Sequence, residues 1–203
     1  SLKIFAGSTD SYRRSLEEGS LVEWSSFVFL IISSYILYRS AHLSTKLGVR
    51  FIIYAMSFIA FVLGMEEISW GQMVFNWVTP ESVSLVNVQD ETNFHNIKGI
   101  SNKMDLIYAS FLALFLGSSY IKRMNKVRDS IISLAAPSVR YLVDNLAPSR
   151  SLNVYFFPAF VLIICLYLGI GRGEHGILFR GEEEWAELLG AIGLFMYSLQ
   201  KLM

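Results

Sequence analysis

The sequence predicts an all-α fold: a polytopic membrane helix bundle of about five transmembrane helices with short interfacial helices. Two observations predict it. The 203 residues are 53% hydrophobic and 17% charged, with a mean hydropathy of +0.45, and the apolar residues come in long blocks. Soluble domains average roughly 25% charged residues. The basic residues also gather in alternate connections between the blocks, as they do in membrane proteins.

A helix needs roughly 20 mainly apolar residues to cross a hydrocarbon core about 30 Å thick. Five stretches meet this, at about 21–38, 51–77, 104–121, 152–170 and 185–202. The first is opened by Glu23 and Trp24 and closed by Arg39. The second is apolar to Gly64 and then continues through a polar stretch towards Trp77. A lone strand would leave its backbone unpaired in hydrocarbon, so helices are required. The expected organisation is one integral membrane domain over 1–203, with an outer loop at 78–103 and a cytoplasmic interfacial segment at 122–151. Within 124–147, apolar and basic residues alternate on either side of Pro137, predicting two short amphipathic helices in the interface. Thr79-Pro80-Glu81 reads as an N-cap, a first-position proline and a first-turn acid, starting a short helix through about Val86. The chain opens at Ser1 rather than Met, which leaves room for a signal peptide or a further helix upstream.

Orientation follows from charge. Arg39, Lys46, Arg50, Lys122, Arg123, Lys126, Arg128, Arg140, Arg150 and Lys201 all fall on one side, accompanied only by Asp129 and Asp144. That side is expected to be cytoplasmic, as is the C-terminus, and loops 65–103 and 171–183 face outward. The net charge of +0 comes with no basic stripe on a soluble face, so nucleic acid is not an expected partner. The single cysteine, Cys165, excludes an intrachain disulfide and a cysteine-based metal site.

Three polar constellations lie on the outer side. Glu66 and Glu67 follow an apolar run of about 14 residues, in the segment Gly64-Met65-Glu66-Glu67-Ile68-Ser69-Trp70-Gly71-Gln72. A charged acid at the bilayer centre costs roughly 2.5–3.5 kcal/mol and less near the interface. Adjacent acids there need a partner, a proton, a cation or water, unless they simply end the span with Trp70 and Trp77 as an interfacial belt. The second constellation is Gln89-Asp90-Glu91-Thr92-Asn93-Phe94-His95-Asn96, where helical or extended spacing brings Glu91 and His95 to one side. Such a pair suits acid–base work or a metal such as zinc. The same residue types also cap loop backbone. The third joins Glu174-His175 to Glu182-Glu183-Glu184 and Glu187. Acids at a helix start are favoured by its dipole, which accounts for Glu182 to Glu184 better than for the deeper Glu187.

The runs Glu66-Glu67-Ile68-Ser69-Trp70-Gly71-Gln72 and Asn87-Val88-Gln89-x-Glu91-Thr92-Asn93-x-His95-Asn96, with Val22-Glu23-Trp24 upstream, resemble a family of uncharacterised bacterial multi-span membrane proteins. That family carries a GEEISWGQ…NVQGETNLHN-like signature. Here Met65 separates Gly64 from Glu66, and Asp90 stands in the place of a glycine, removing a residue tolerant of positive φ. The resemblance implies a bacterial membrane protein and no particular reaction, and the expected location is the inner membrane.

Three functions compete. An enzyme acting on a lipid or lipid-linked envelope substrate would use Glu66, Glu67 and His95 as acid, base or metal ligand. Ser69, Trp70, Gln72, Gln89, Glu91 and Asn93 would bind the substrate, and Glu67, His95 and His175 would hold a divalent metal such as zinc. This predicts side chains converging on an accessible pocket. A non-catalytic subunit of a larger membrane complex would instead spend its polar groups on internal bonds, with Trp70, Trp77, Phe94 and Trp185 as anchors. A proton or cation pathway is disfavoured, because the cytoplasmic halves of the spans contain no matching ionisable residue. The expected partners are membrane lipids and other membrane subunits.

Overall fold

The computed structural model describes residues 20–87, 91–94, 97–123, 137–170 and 183–202. The described residues form helices and turns, with one isolated antiparallel bridge between Asn87 and Ile97. The helices are α1 (Leu21–Leu43), α2 (Leu47–Glu67), α3 (Gln72–Phe75), α4 (Glu81–Ser84), α5 (Ser101–Arg123), α6 (Pro137–Leu146), α7 (Asn153–Tyr167) and α8 (Glu183–Leu202). Four helical stretches are long and apolar enough to cross a membrane: Leu21–Leu43, Leu47–Glu67, Lys103–Lys122 and Arg150–Tyr167. α8 has a similar length, 20 residues, but carries three acids and Lys201.

The long helices pack in the order α2, α1, α8, α7, α5, and α6 touches both α2 and α5 at the basic end. Hydrophobic burial drives little association between helices already in lipid, so close packing of small residues and interhelical hydrogen bonds matter more. Both are present. Ser34 Oγ donates to Ser57 O (2.9 Å) and Ser57 Oγ to Ser34 O (2.7 Å), stitching α1 to α2. On α8 the buried positions include Ala186, Gly190, Ala191 and Gly193. A Cβ on Gly190 would lie 1.8 Å from Tyr108 Oη, so the approach of α5 to α8 requires glycine there. Leu37, Ile53, Leu112, Phe156, Ile163 and Tyr197 occupy the core between these helices.

The helix ends have local causes. Ser20 Oγ accepts from Glu23 N (3.3 Å) and caps α1. The Arg50 guanidinium donates to Ser44 O at 2.9 and 2.7 Å, closing the short turn between α1 and α2. The second span, expected over 51–77, occupies 47–67, because the chain turns left-handed at Ser69 (φ 47°), Trp70 (φ 56°) and Gly71 (φ 101°). The short helix at Glu81 lasts one turn, and Pro80 takes the cap position that the sequence assigned to Thr79. Of the two short helices expected over 124–147, one is present as α6, and residues 124–136 lie outside the described residues.

Candidate functional site

The left-handed turn after α2 is held by groups from the connection between α4 and α5. A non-glycine residue in this conformation costs roughly 1–2 kcal/mol, so consecutive Ser69 and Trp70 need compensation. They receive it through the hydrogen bonds around Glu66. One Glu66 carboxylate oxygen accepts from Trp70 Nε1 and the other from Phe94 N (2.7 Å). Ser69 Oγ donates to Glu91 Oε2 (2.8 Å), which also accepts from Asn93 Nδ2. Asn87 Nδ2 donates to Asn93 O (3.2 Å) and Oδ1 (3.0 Å), while Asn87 Oδ1 accepts from Glu91 N (3.3 Å). Gln72 uses both ends of its amide: Nε2 donates to Thr79 Oγ1 (2.9 Å) and Oε1 accepts from Thr92 N (2.7 Å). Glu66, Ser69, Asn87, Glu91 and Asn93 are all buried. Glu66, Ser69, Trp70 and Gln72, at and just after the end of α2, and Asn87, Glu91, Thr92, Asn93 and Phe94 therefore form a clamp of mutual hydrogen bonds.

Glu67 points elsewhere. Consecutive helical residues lie about 100° apart around the axis, so Glu67 leaves the clamp and meets α8. One carboxylate oxygen each from Glu67, Glu184 and Glu187 lies within 4.8 Å of the others, and all three side chains are half-buried. Glu184 and Glu187 reach the same point because i and i+3 share a helix face. Glu23 of α1 lies within charge–charge range of all three, and Asp105 of α5 within range of Glu187. Tyr108 of α5 donates its hydroxyl to Ala186 O (2.9 Å), one residue before Glu187. Three carboxylates at this spacing repel strongly in a low dielectric unless protons or a cation lie between them. An all-oxygen donor set suits hard divalent cations such as Mg²⁺, Ca²⁺ or Mn²⁺.

The sequence-predicted residues thus separate into two groups. Glu66, Ser69, Trp70, Gln72, Glu91 and Asn93 come together in the clamp, and Glu67 joins the carboxyl triad. Gln89, His95 and His175 lie outside the described residues. From the sequence, Glu184 reads as a first-turn residue favoured by the helix dipole. It does lie in the first turn of α8, and it also faces Glu67. Tyr108 carries no signal in the sequence, being one tyrosine within an apolar span.

These features define the class: an all-helical protein built to pass several times through a membrane, with carboxyl groups from separate helices gathered at one end of the bundle. The chain matches no protein-family model, no curated protein and no solved structure.

Proposed function

We propose that this is a multi-pass enzyme of the bacterial cytoplasmic membrane, with its reaction centre on the non-cytoplasmic side and a lipid or lipid-linked envelope precursor as substrate. The observation that carries this reading is the convergence of Glu67, Glu184 and Glu187 from two helices onto one point. The three would hold a divalent cation, which would supply Lewis-acid polarisation of a phosphoryl or carbonyl oxygen. Glu66, Ser69, Gln72, Glu91 and Asn93 are then positioning residues that fix the end of α2, and with it Glu67. If the metal is zinc, His95 and His175 are the nitrogen donors in this reading.

A second reading, the non-catalytic subunit, is favoured by two observations. The clamp spends its polar atoms internally, and Phe75, Val78, Leu85 and Phe94 at the same end are 74%, 91%, 69% and 62% exposed. These side chains would be covered by a neighbouring membrane subunit.

Metal content of detergent-purified protein separates the two. The enzyme reading expects one divalent metal per chain, lost in Glu67→Gln and Glu187→Gln and retained in Lys98→Gln. Loss in His95→Ala as well would identify a zinc-type site with a nitrogen donor. Wild-type protein without stoichiometric metal would put the subunit reading ahead.

A further inference from the structure

At the opposite, basic end of the bundle lies a cavity of about 330 Å³ that the carboxyl centre does not use. Three segments line it. The last turns of α5 contribute Ser119 and Lys122, the connection into α7 contributes Ser149 and Arg150, and the last turn of α8 contributes Gln200 and Lys201. Three of these six side chains are cationic, and among the described residues no acid lines the cavity.

The walls are organised. Gln200 Oε1 accepts from Ser149 N (3.3 Å), and Gln200 Nε2 donates to Ser149 Oγ (2.5 Å), tying the connection to α8. Ser119 Oγ lies 2.8 Å from Leu116 O and 3.0 Å from Asn153 Oδ1, which ties α5 to α7. Two of the three cations rest on aromatic rings: the Arg150 guanidinium is 5.1 Å from the Tyr120 centroid and the Lys201 ammonium, which also donates to Asn145 O, is 5.0 Å from that of Tyr197. Lys122 and Lys201 are within charge–charge range of each other, so the two repel. A lysine near a helix C-terminus is favoured by the dipole, which accounts for each of these two singly. It does not account for three cations from three segments meeting around one cavity.

We infer that this cavity is a binding site for a phosphate oxyanion, held by Lys122, Arg150 and Lys201 and carried by an anionic phospholipid headgroup. Arginine binds phosphate oxygens in bidentate fashion, and lysine supplies a compact charge beside it. Basic pockets between membrane helices at the cytoplasmic face are suited to lipid headgroups. Free inorganic phosphate shares this chemistry, so the test must separate the two sources.

The experiment is native mass spectrometry of the full chain released from nanodiscs of phosphatidylglycerol or phosphatidylcholine, with and without added inorganic phosphate. Wild-type protein is expected to retain phosphatidylglycerol over phosphatidylcholine. Lys122→Gln/Arg150→Gln should lower that retention by about tenfold or more, from the usual worth of two basic residues at an anionic surface. Both side chains are exposed, so the fold should tolerate the change, and the charge-keeping Lys122→Arg/Arg150→Lys pair should restore retention. Arg39→Gln/Lys46→Gln, at the same end but outside the cavity, should retain lipid as wild type does. Phosphate binding with the same dependence on Lys122 and Arg150, in place of lipid retention, would uphold the site and identify free phosphate as its ligand. The inference is overturned if the cavity variant retains lipid and phosphate as wild type does. It is equally overturned if the control pair loses them to the same extent, or if the charge-keeping pair fails to restore binding.

Discussion

Glu66 and Glu67 are consecutive, chemically identical and on the last turn of one helix, and their environments differ completely. The buried Glu66 carboxylate accepts from Trp70 Nε1 and Phe94 N, so each of its oxygens has a donor. The Glu67 carboxyl faces two other carboxyls. Opposite effects of substitution follow. Glu66→Ala leaves two donors unpaired, at about 1–3 kcal/mol each when buried, and should lower the thermal midpoint in detergent. Glu67→Gln replaces one of three crowded carboxyls with a neutral amide that needs neither a proton nor a cation beside it, so in metal-free buffer its midpoint should equal or exceed that of wild type. A Glu67→Gln variant as unstable as Glu66→Ala would show that both acids belong to the clamp. The sequence marks both acids as candidates without telling their roles apart. Which residue meets Phe94 and which meets α8 depends on how α2 is rotated against its neighbours, and a single helix does not encode that.

At the scale of the element, the turn at Ser69, Trp70 and Gly71 ends α2 at Glu67, about ten residues short of the span expected over 51–77. Local propensity favours continuing the helix here, since a left-handed tryptophan is disfavoured. The bonds that reverse the preference come from Glu91 and Phe94, more than 20 residues away in sequence. Gly71→Ala tests this directly. At φ 101° a side chain is strained although its Cβ would meet Phe75 and Trp77 only at 3.4 Å, so the expected loss is conformational, about 1–2 kcal/mol. The α5–α8 contact makes a second case. Gly190→Ala drives its Cβ into Tyr108 Oη and should cost about 1–3 kcal/mol by overpacking. In Gly190→Ala/Tyr108→Ala the obstruction is gone, so the second alanine should cost less there than in the wild-type background. Equilibrium unfolding in detergent reads both sets of variants.

For the whole molecule, the segregation of basic residues makes an orientation prediction. Successive long helices run antiparallel, so the acids of α2 and α8 share one end and the basic turns of α5 and α8 share the other. In a Cys165→Ala background, exposed Ser82→Cys should react with a membrane-impermeant maleimide in spheroplasts, and exposed Thr45→Cys only after lysis. The reverse labelling pattern would invert the proposed sidedness and move the carboxyl centre to the cytoplasm. The cationic cavity and the carboxyl triad stand at opposite ends in either case.

The long helices and their up-and-down order were legible in the sequence because they are one-dimensional properties. The hydrocarbon core sets a length for apolar runs, and each run can be read without knowing its neighbours. The segments 66–72 and 87–96 were also legible as dense polar constellations. Their division into a clamp around Glu66 and a triad around Glu67 was not. Nor was the pairing of Glu67 with Glu184 and Glu187, the glycine that admits Tyr108, or the meeting of Lys122, Arg150 and Lys201 around one cavity. Those depend on the rotation of each helix about its axis and on which helices become neighbours. Tertiary packing decides both, because side chains about 100° apart on one helix face different partners.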